Sequence, residues 1–159
     1  MLVDIVIDAN VFLHSCNPAS GRQTMCCTLL GHVKDCDVHL CVDEGFDWEE
    51  AKNRSQIGAE YIKHLKVGTV AYELVVHLAK SGRIDIVSRS VPQIAARLIQ
   101  RQVTKGPDRT YLKVAYNSRE KTLASHDYGD IPDTVRGRLK RQLMVNVVSA
   151  EGATAALKA

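Results

Sequence analysis

Several carboxylates in this 159-residue chain stand where a strand-like run stops or a helix starts. Asp8 closes the apolar run of DIVIDANVFL, and a buried carboxylate without a partner is costly or surrenders its charge. Asp8 therefore needs either hydrogen-bond donors in a turn or a metal ion. Asp43 and Glu44 close a second such run, and Asp127 follows TLAS in TLASHDYGD, with Asp130 three residues later. Asp108 begins a helix after Gly106-Pro107, and Glu60 lies in GAEYIKHL, early in a helix that follows the second strand. Hard oxygen donors of this kind suit Mg²⁺ or Mn²⁺, which keep most of their waters and need few carboxylates. Without a cation, clustered acids push one another's pKa values up. With one, they polarise a phosphoryl oxygen and lower the pKa of a water. Taken singly, each acid has a plain structural role: Asp108 and Asp133 as helix caps, Asp8 with Asn10 as an Asx-turn, Asp43 to Glu50 as a solvated acidic loop. The conjunction of strand-end acids at 8 and 127 with a helix-start acid at 108 favours a shared site.

Such a site needs elements that bring its residues to one edge. Strand-like runs LVDIVI (2–7), DVHLCV (37–42), RIDIVS (83–88), TLAS (122–125) and LMVNVV (143–148) alternate with helical stretches at 69–82, 90–106, 107–118 and 133–143. The first helix stops on Gly82 with Lys80 in its last turn, and the second takes Ser90 as N-cap. Residues 44–58 read as a loop followed by a helix start. This alternation predicts an α/β fold with a mostly parallel sheet of about four or five strands and helices on both faces. In such sheets ligands bind beyond the carboxyl ends of the strands, which is where these acids fall.

The chain is expected to form one domain over 1–159, with 45% apolar and 25% charged residues, ordinary proportions for a globular protein. No segment approaches the roughly 18 apolar residues a membrane span requires. Asp4 and Asp8 interrupt the first ten residues, which argues against a signal sequence, so a cytoplasmic location is the default expectation. Five cysteines, none in a Cys-x-x-Cys pattern, read as reduced and partly buried thiols. A net charge of +3 permits a nucleic-acid partner only where basic residues are concentrated. Arg97, Arg101 and Lys105 recur every four residues as one helical stripe, and Arg136, Arg138, Lys140 and Arg141 form a second run close to the acids around 127. Helix faces are commonly charged, so the second run is the better candidate for holding a phosphate backbone. Ser125-His126-Asp127 is no catalytic triad, because neighbours on a strand point to opposite faces; His126 reads as an exposed or core-satisfied histidine. Glycine-rich nucleotide loops are absent, and aromatics are too few for a broad base-stacking platform.

These residues resemble the PIN-domain nucleases along essentially the whole chain. The family opens on a hydrophobic strand ending in Asp followed by Asn or Thr, matched by VIDANVFL; its third acid and its strand-end motif match PDRTYLKVAYNSREKTLASHD; VNVVSAEGATAAL resembles its closing strand and short helix. The resemblance implies a single three-layer domain and Mg²⁺- or Mn²⁺-dependent endonucleolytic hydrolysis of phosphodiester bonds. Single-stranded RNA is the implied substrate, with DNA as the alternative. Asp8, Asp108 and Asp127 carry over as metal ligands. The second acid lies between Glu44 and Glu60, and the "E-Y" pattern of Glu60-Tyr61 favours Glu60. Asn10 is then the support of Asp8, Ser125 that of Asp127, and Asp43, Glu44 and Asp130 are auxiliary acids. Members of the family include toxin halves of toxin–antitoxin pairs and dimers, which puts an antitoxin-like protein and a second copy among the expected partners. An aspartyl-nucleophile phosphotransferase would need a second Asp where Asn10 stands. The remaining alternative is a non-catalytic PIN-fold module that binds RNA or a protein.

Overall fold

Five short strands form one wholly parallel sheet in a computed structural model that describes all of residues 1–159. They are β1 (Asp4–Ile7), β2 (His39–Asp43), β3 (Ile84–Val87), β4 (Thr122–Ala124) and β5 (Asn146–Val148), ordered β3-β2-β1-β4-β5. The helices are α1 (Ala9–Ser15), α2 (Gln23–Asp35), α3 (Gln56–His64), α4 (Val70–Lys80), α5 (Gln93–Gln102), α6 (Gly106–Asn117), α7 (Asp133–Leu143) and α8 (Ala150–Lys158). One layer holds α1, α2, α4 and α8; the other holds α3, α5, α6 and α7. The three-layer α/β expectation is met. No helix is long and apolar enough to cross a membrane.

Strands flanked on both sides cannot alternate polar and apolar residues, and they do not. Ile5, Val6, Ile7, Leu40, Cys41, Val42, Leu123 and Ala124 are all fully buried. They join Leu29, Leu30, Val33, Leu74, Leu78, Ile99, Leu112 and Val114 from the covering helices in one core. Helix starts follow local chemistry. The hydroxyls of Ser55, Thr69 and Ser149 accept from backbone N–H groups in the first turns of α3, α4 and α8. Pro107 sits in the opening turn of α6, where a missing N–H does no harm.

Several boundaries move for identifiable reasons. The fifth strand starts at Asn146, because Leu143 still belongs to α7 and Met144 turns the chain in the left-handed conformation at φ 59°. The helix expected from Ser90 begins at Gln93, with Pro92 at its cap position. Helix α2 lies where no helix was expected. Its cap residue Arg22 makes no capping side-chain hydrogen bond, although Cys26, Leu29, Leu30 and Val33 bury one face at helical spacing.

The strand order places a switch point between β1 and β4. Connections from β1 lead to β2 on one side, while the connection from β3 passes β1 to reach β4 on the other. In parallel α/β sheets the region beyond the carboxyl ends of such a strand pair is where ligands bind. Asp8 follows β1 at this point, and Ser125 follows β4.

Candidate functional site

Asp8 is the N-cap of α1, and only 6% of it is exposed. Its Oδ1 accepts from the Asn10 backbone N–H at 3.1 Å, while its Oδ2 accepts from Asn10 Nδ2 at 3.0 Å and Ser125 Oγ at 2.9 Å. The Asx-turn is therefore real, and it does not exhaust the carboxylate, whose oxygens each have two lone pairs. Burial raises the pKa of Asp8; the Asn10 and Ser125 hydrogen bonds oppose that, and the charges of Asp127 and Glu60 add to it. Two buried tyrosines fix the backbone beneath. Tyr61 donates to the Ile7 carbonyl at 2.5 Å, and Tyr111 accepts from the Ala9 N–H at 3.2 Å.

Ser125 couples the two strands across the switch point. Its Oγ donates to Asp8 and accepts from the Asp127 N–H at 3.1 Å, and Asn10 Oδ1 accepts from the His126 N–H at 3.2 Å. Asp127 in turn accepts from the Asp130 N–H at 3.0 Å. Ser125 thus serves Asp127 through its backbone and Asp8 through its side chain. Both supporting residues expected from the sequence make these contacts.

Asp108 lies in the first turn of α6 and is 8% exposed. Its Oδ2 is buried and has no hydrogen-bond partner. Carboxylate oxygens of Asp108, Asp127 and Asp130 fall within 4.8 Å of one another. Burial, followed by the charges of Asp8, Asp127 and Asp130, pushes the Asp108 pKa up to about 7, against the pull of Lys105. The Lys105 ammonium stands 2.6 Å from Asp130 and holds that carboxyl below its usual range. Asp108, Asp127 and Asp130 therefore form one cluster, Asp8 lies outside it but close enough for its charge to act on Asp108, and the Lys105 ammonium opposes the group.

Glu60 stands on α3, half-buried, 3.4 Å from His64 Nε2. Its charge acts on both Asp8 and Tyr111. A cavity of about 320 Å³ runs beside it, lined by Gln56, Ala59, Glu60, Gly106 and Pro107. Glu44 and Asp43 lie elsewhere. Glu44 is exposed and accepts from the Arg89 N–H at 3.0 Å, while Asp43 is fully buried and caps α3. Of the candidates for the second acid, Glu60 is the one whose charge acts on Asp8.

The basic run near the acids is shorter than its spelling suggests. Arg136 is buried; its Nε donates to the Ile131 carbonyl at 2.7 Å, its Nη1 to the Ser125 carbonyl at 3.0 Å, and its guanidinium stacks 3.8 Å over Tyr128. It holds the 125–131 turn together and is no surface ligand, which corrects its expected place among the phosphate-holding residues. Arg138, Lys140 and Arg141 are exposed, as are Arg97 and Arg101. Arg138 Nη1 donates to Gln102 on α5 at 3.3 Å, so the two basic stripes lie on adjacent helices of one layer. Of the exposed and core-satisfied alternatives for His126, the second holds. Its Nε2 accepts from the Ala150 N–H at the start of α8, and burial lowers its pKa to about 4. Tyr61 and Tyr111 had no assigned part in the site, and Lys105, expected on one helical stripe with Arg97 and Arg101, stands beyond the end of α5 and pairs with Asp130 instead. For Tyr61, its place beside Glu60 in an apolar helix face was the only sign.

Scans against protein-family models, curated proteins and solved structures returned no match for this chain. What fold and geometry define is a class: a three-layer parallel α/β domain with carboxylates gathered at the switch point of its sheet.

Proposed function

We propose that this protein is a PIN-type nuclease, a metal-dependent phosphodiester hydrolase that uses Mg²⁺ or Mn²⁺ and cleaves single-stranded RNA internally. The observation that carries this reading is the Oδ2 of Asp108. A buried, unpaired carboxylate oxygen beside two further acids is an expensive arrangement, and a hard cation is the partner that relieves it. The donor set fits such an ion: oxygen only, few in number, and open on one side.

Asp8, Asp108 and Asp127 would hold the ion, with Glu60 reaching it from α3. Bound there, it would polarise a phosphoryl oxygen and lower the pKa of a water for in-line attack. The chain's own residues do the rest. Ser125 and Asn10 keep Asp8 in one orientation, and the two tyrosines stop the β1–α1 turn from yielding to the charge. Lys105 pairs with Asp130, which leaves Asp8, Asp108 and Asp127 as the acids that would hold the ion. Arg138, Lys140, Arg141, Arg97 and Arg101 would grip the phosphate backbone, and no covalent intermediate is required.

The test is cleavage of single-stranded RNA and single-stranded DNA with Mg²⁺ and with Mn²⁺, comparing wild type with Asp108→Asn. Metal-dependent internal cuts in RNA, absent in the variant, are expected. RNA binding without cleavage by wild type would point to the non-catalytic module instead. Equal cleavage by both proteins would overturn the assignment.

A further inference from the structure

The opposite, amino edge of the same sheet carries a second group of ligand-type side chains, of different chemistry. In the parallel register Asp4 pairs with His39, and Cys41 pairs with Asp85. Paired residues, and residues two apart on one strand, share a face. Asp4, His39, Cys41 and Asp85 therefore project from one face of β1, β2 and β3. Ligand atoms of Asp4, Cys41 and Asp85 lie within 4.8 Å of one another. His39 Nδ1 is 2.8 Å from Asp85 Oδ1, a hydrogen bond that orients this carboxylate.

Burial makes this grouping hard to explain as a core. Asp4 is 3% exposed and Cys41 fully buried, at positions where a parallel sheet ordinarily carries aliphatic residues. Asp4 is held by the Arg119 and Glu120 N–H groups at 2.9 and 3.0 Å, which orient its carboxylate and leave further lone pairs free. Two acids beside a thiol repel its ionised form, and burial together with Asp4 and Asp85 pushes the Cys41 thiol well up. Access is available from one side. His39 and Asp85 each expose about a third of their side chains (34% and 35%), and a cavity of about 270 Å³ reaches Asp4 and Asp85 past Asn117, Ser118 and Arg119.

We propose that Asp4, Cys41 and Asp85 form a site for a zinc-type divalent cation that clamps β1, β2 and β3 together at their amino ends, with His39 bonded to Asp85 as an outer support. One thiolate and two carboxylates match the borderline-soft preference of Zn²⁺ and leave one position of its tetrahedron for water. Binding releases the Cys41 proton to solvent, so affinity rises with pH. The site is independent of the acids at the carboxyl edge, which offer oxygen alone.

Cobalt titration of the full chain is the test, because Co²⁺ reports a sulfur ligand directly. One equivalent is expected to give a thiolate-to-cobalt charge-transfer band in the near ultraviolet together with the intense visible bands of a tetrahedral complex. Zn²⁺ should bleach both. Asp108→Asn should leave both spectra unchanged, which separates this site from the proposed nuclease centre. Cys41→Ser should abolish the charge-transfer band. Asp85→Asn, at a half-buried position that tolerates the change, should weaken Co²⁺ binding at least tenfold and remove the rise in Tm that Zn²⁺ gives wild type. Absence of the charge-transfer band in wild type, its persistence in Cys41→Ser, or an Asp85→Asn protein that binds as wild type does would each overturn the proposal.

Discussion

Asp43 and Asp108 are both buried acids near the carboxyl edge of one sheet, and their surroundings are opposite. Asp43 accepts four hydrogen bonds: Ser55 Oγ at 2.5 Å and Ile57 N–H at 2.9 Å on Oδ1, Gln56 N–H at 2.8 Å and the Arg89 guanidinium at 2.7 Å on Oδ2. Asp108 buries an oxygen that accepts none. The difference teaches that position in the fold does not decide what a buried acid is for; the count of donors around it does. Donors turn a carboxylate into a stabilising strut, as Asp43 is for α3 and the loop before it. Their absence leaves charge to be met by something outside the chain.

The largest expected effect lies on the satisfied side. Asp43→Ala strips partners from Ser55, two backbone N–H groups and a guanidinium, and should cost about 3–5 kcal/mol, as breaking a buried charge pair does. Urea denaturation of the variant measures it. A loss under about 1 kcal/mol, the scale of an exposed ion pair, would erase the contrast with Asp108.

Asp108 should respond in the other direction. Its folded pKa of about 7 lies above the unfolded value of 3.8, so between those two the native state holds a proton that the unfolded chain has released. The contribution of Asp108 to the stability of the metal-free protein then falls as pH rises from about 4 to about 7 and levels off above. His126, with its folded pKa of about 4, contributes the opposite slope between about 4 and 6.5. Asp108→Asn removes the Asp108 slope. At pH 8, and after allowing for solvent screening, it should stabilise the metal-free fold by about 1–2 kcal/mol, or roughly 3–6 °C in Tm. Melting curves across pH with a chelator present check this. A variant that melts below wild type at pH 8 would show that Asp108 is already satisfied.

How far the sequence reveals these roles depends on range. The parallel α/β plan and the helices α4 to α7 were legible because apolar periodicity and turn residues are local signals. Asp8, Asp108 and Asp127 were legible as a group because the strand-end rule converts order along the chain into place. Asp43 was ambiguous for a physical reason: its donors are supplied by a loop closing at Ser55 and by Arg89, 46 residues away. Arg136 misleads in the same manner, since a charge run on a helix reads as a surface, and only the folded 125–131 turn shows the carbonyls that bury it. Helix α2 had the right spacing of apolar positions but no capping side chain to announce its start.

The same comparison sharpens at the second acid. Glu44 binds the Arg89 N–H at the protein surface, whereas the charge of Glu60 acts on Asp8. Glu60→Gln should lower RNA cleavage about tenfold, or about 1.4 kcal/mol of barrier, with little change in melting. Glu44→Gln should leave cleavage unchanged. Rates measured at saturating Mn²⁺ and again at limiting Mn²⁺ separate a ligand from a bystander: if Glu60 reaches the ion, its variant recovers part of the lost rate as metal rises. Reversed rankings would move the second wall of the site to the 44–55 loop.

The smallest effect belongs to the exposed arginines, and it distinguishes Arg138 from its buried neighbour. Arg138 touches only Gln102 through one Nη, so Arg138→Gln should leave the melting temperature within error. If it grips a phosphate, RNA affinity should drop uniformly across sequences, and the slope of log K against log salt should fall by about 0.7, the single-strand value per neutralised phosphate. Arg136→Gln should reverse that pattern. Losing the Ile131 and Ser125 carbonyl bonds loosens the turn that presents Asp127, so melting should fall clearly while the salt slope stays put. A shared slope change in both variants would mean that Arg136 reaches solvent and that the 125–131 turn is held by other means.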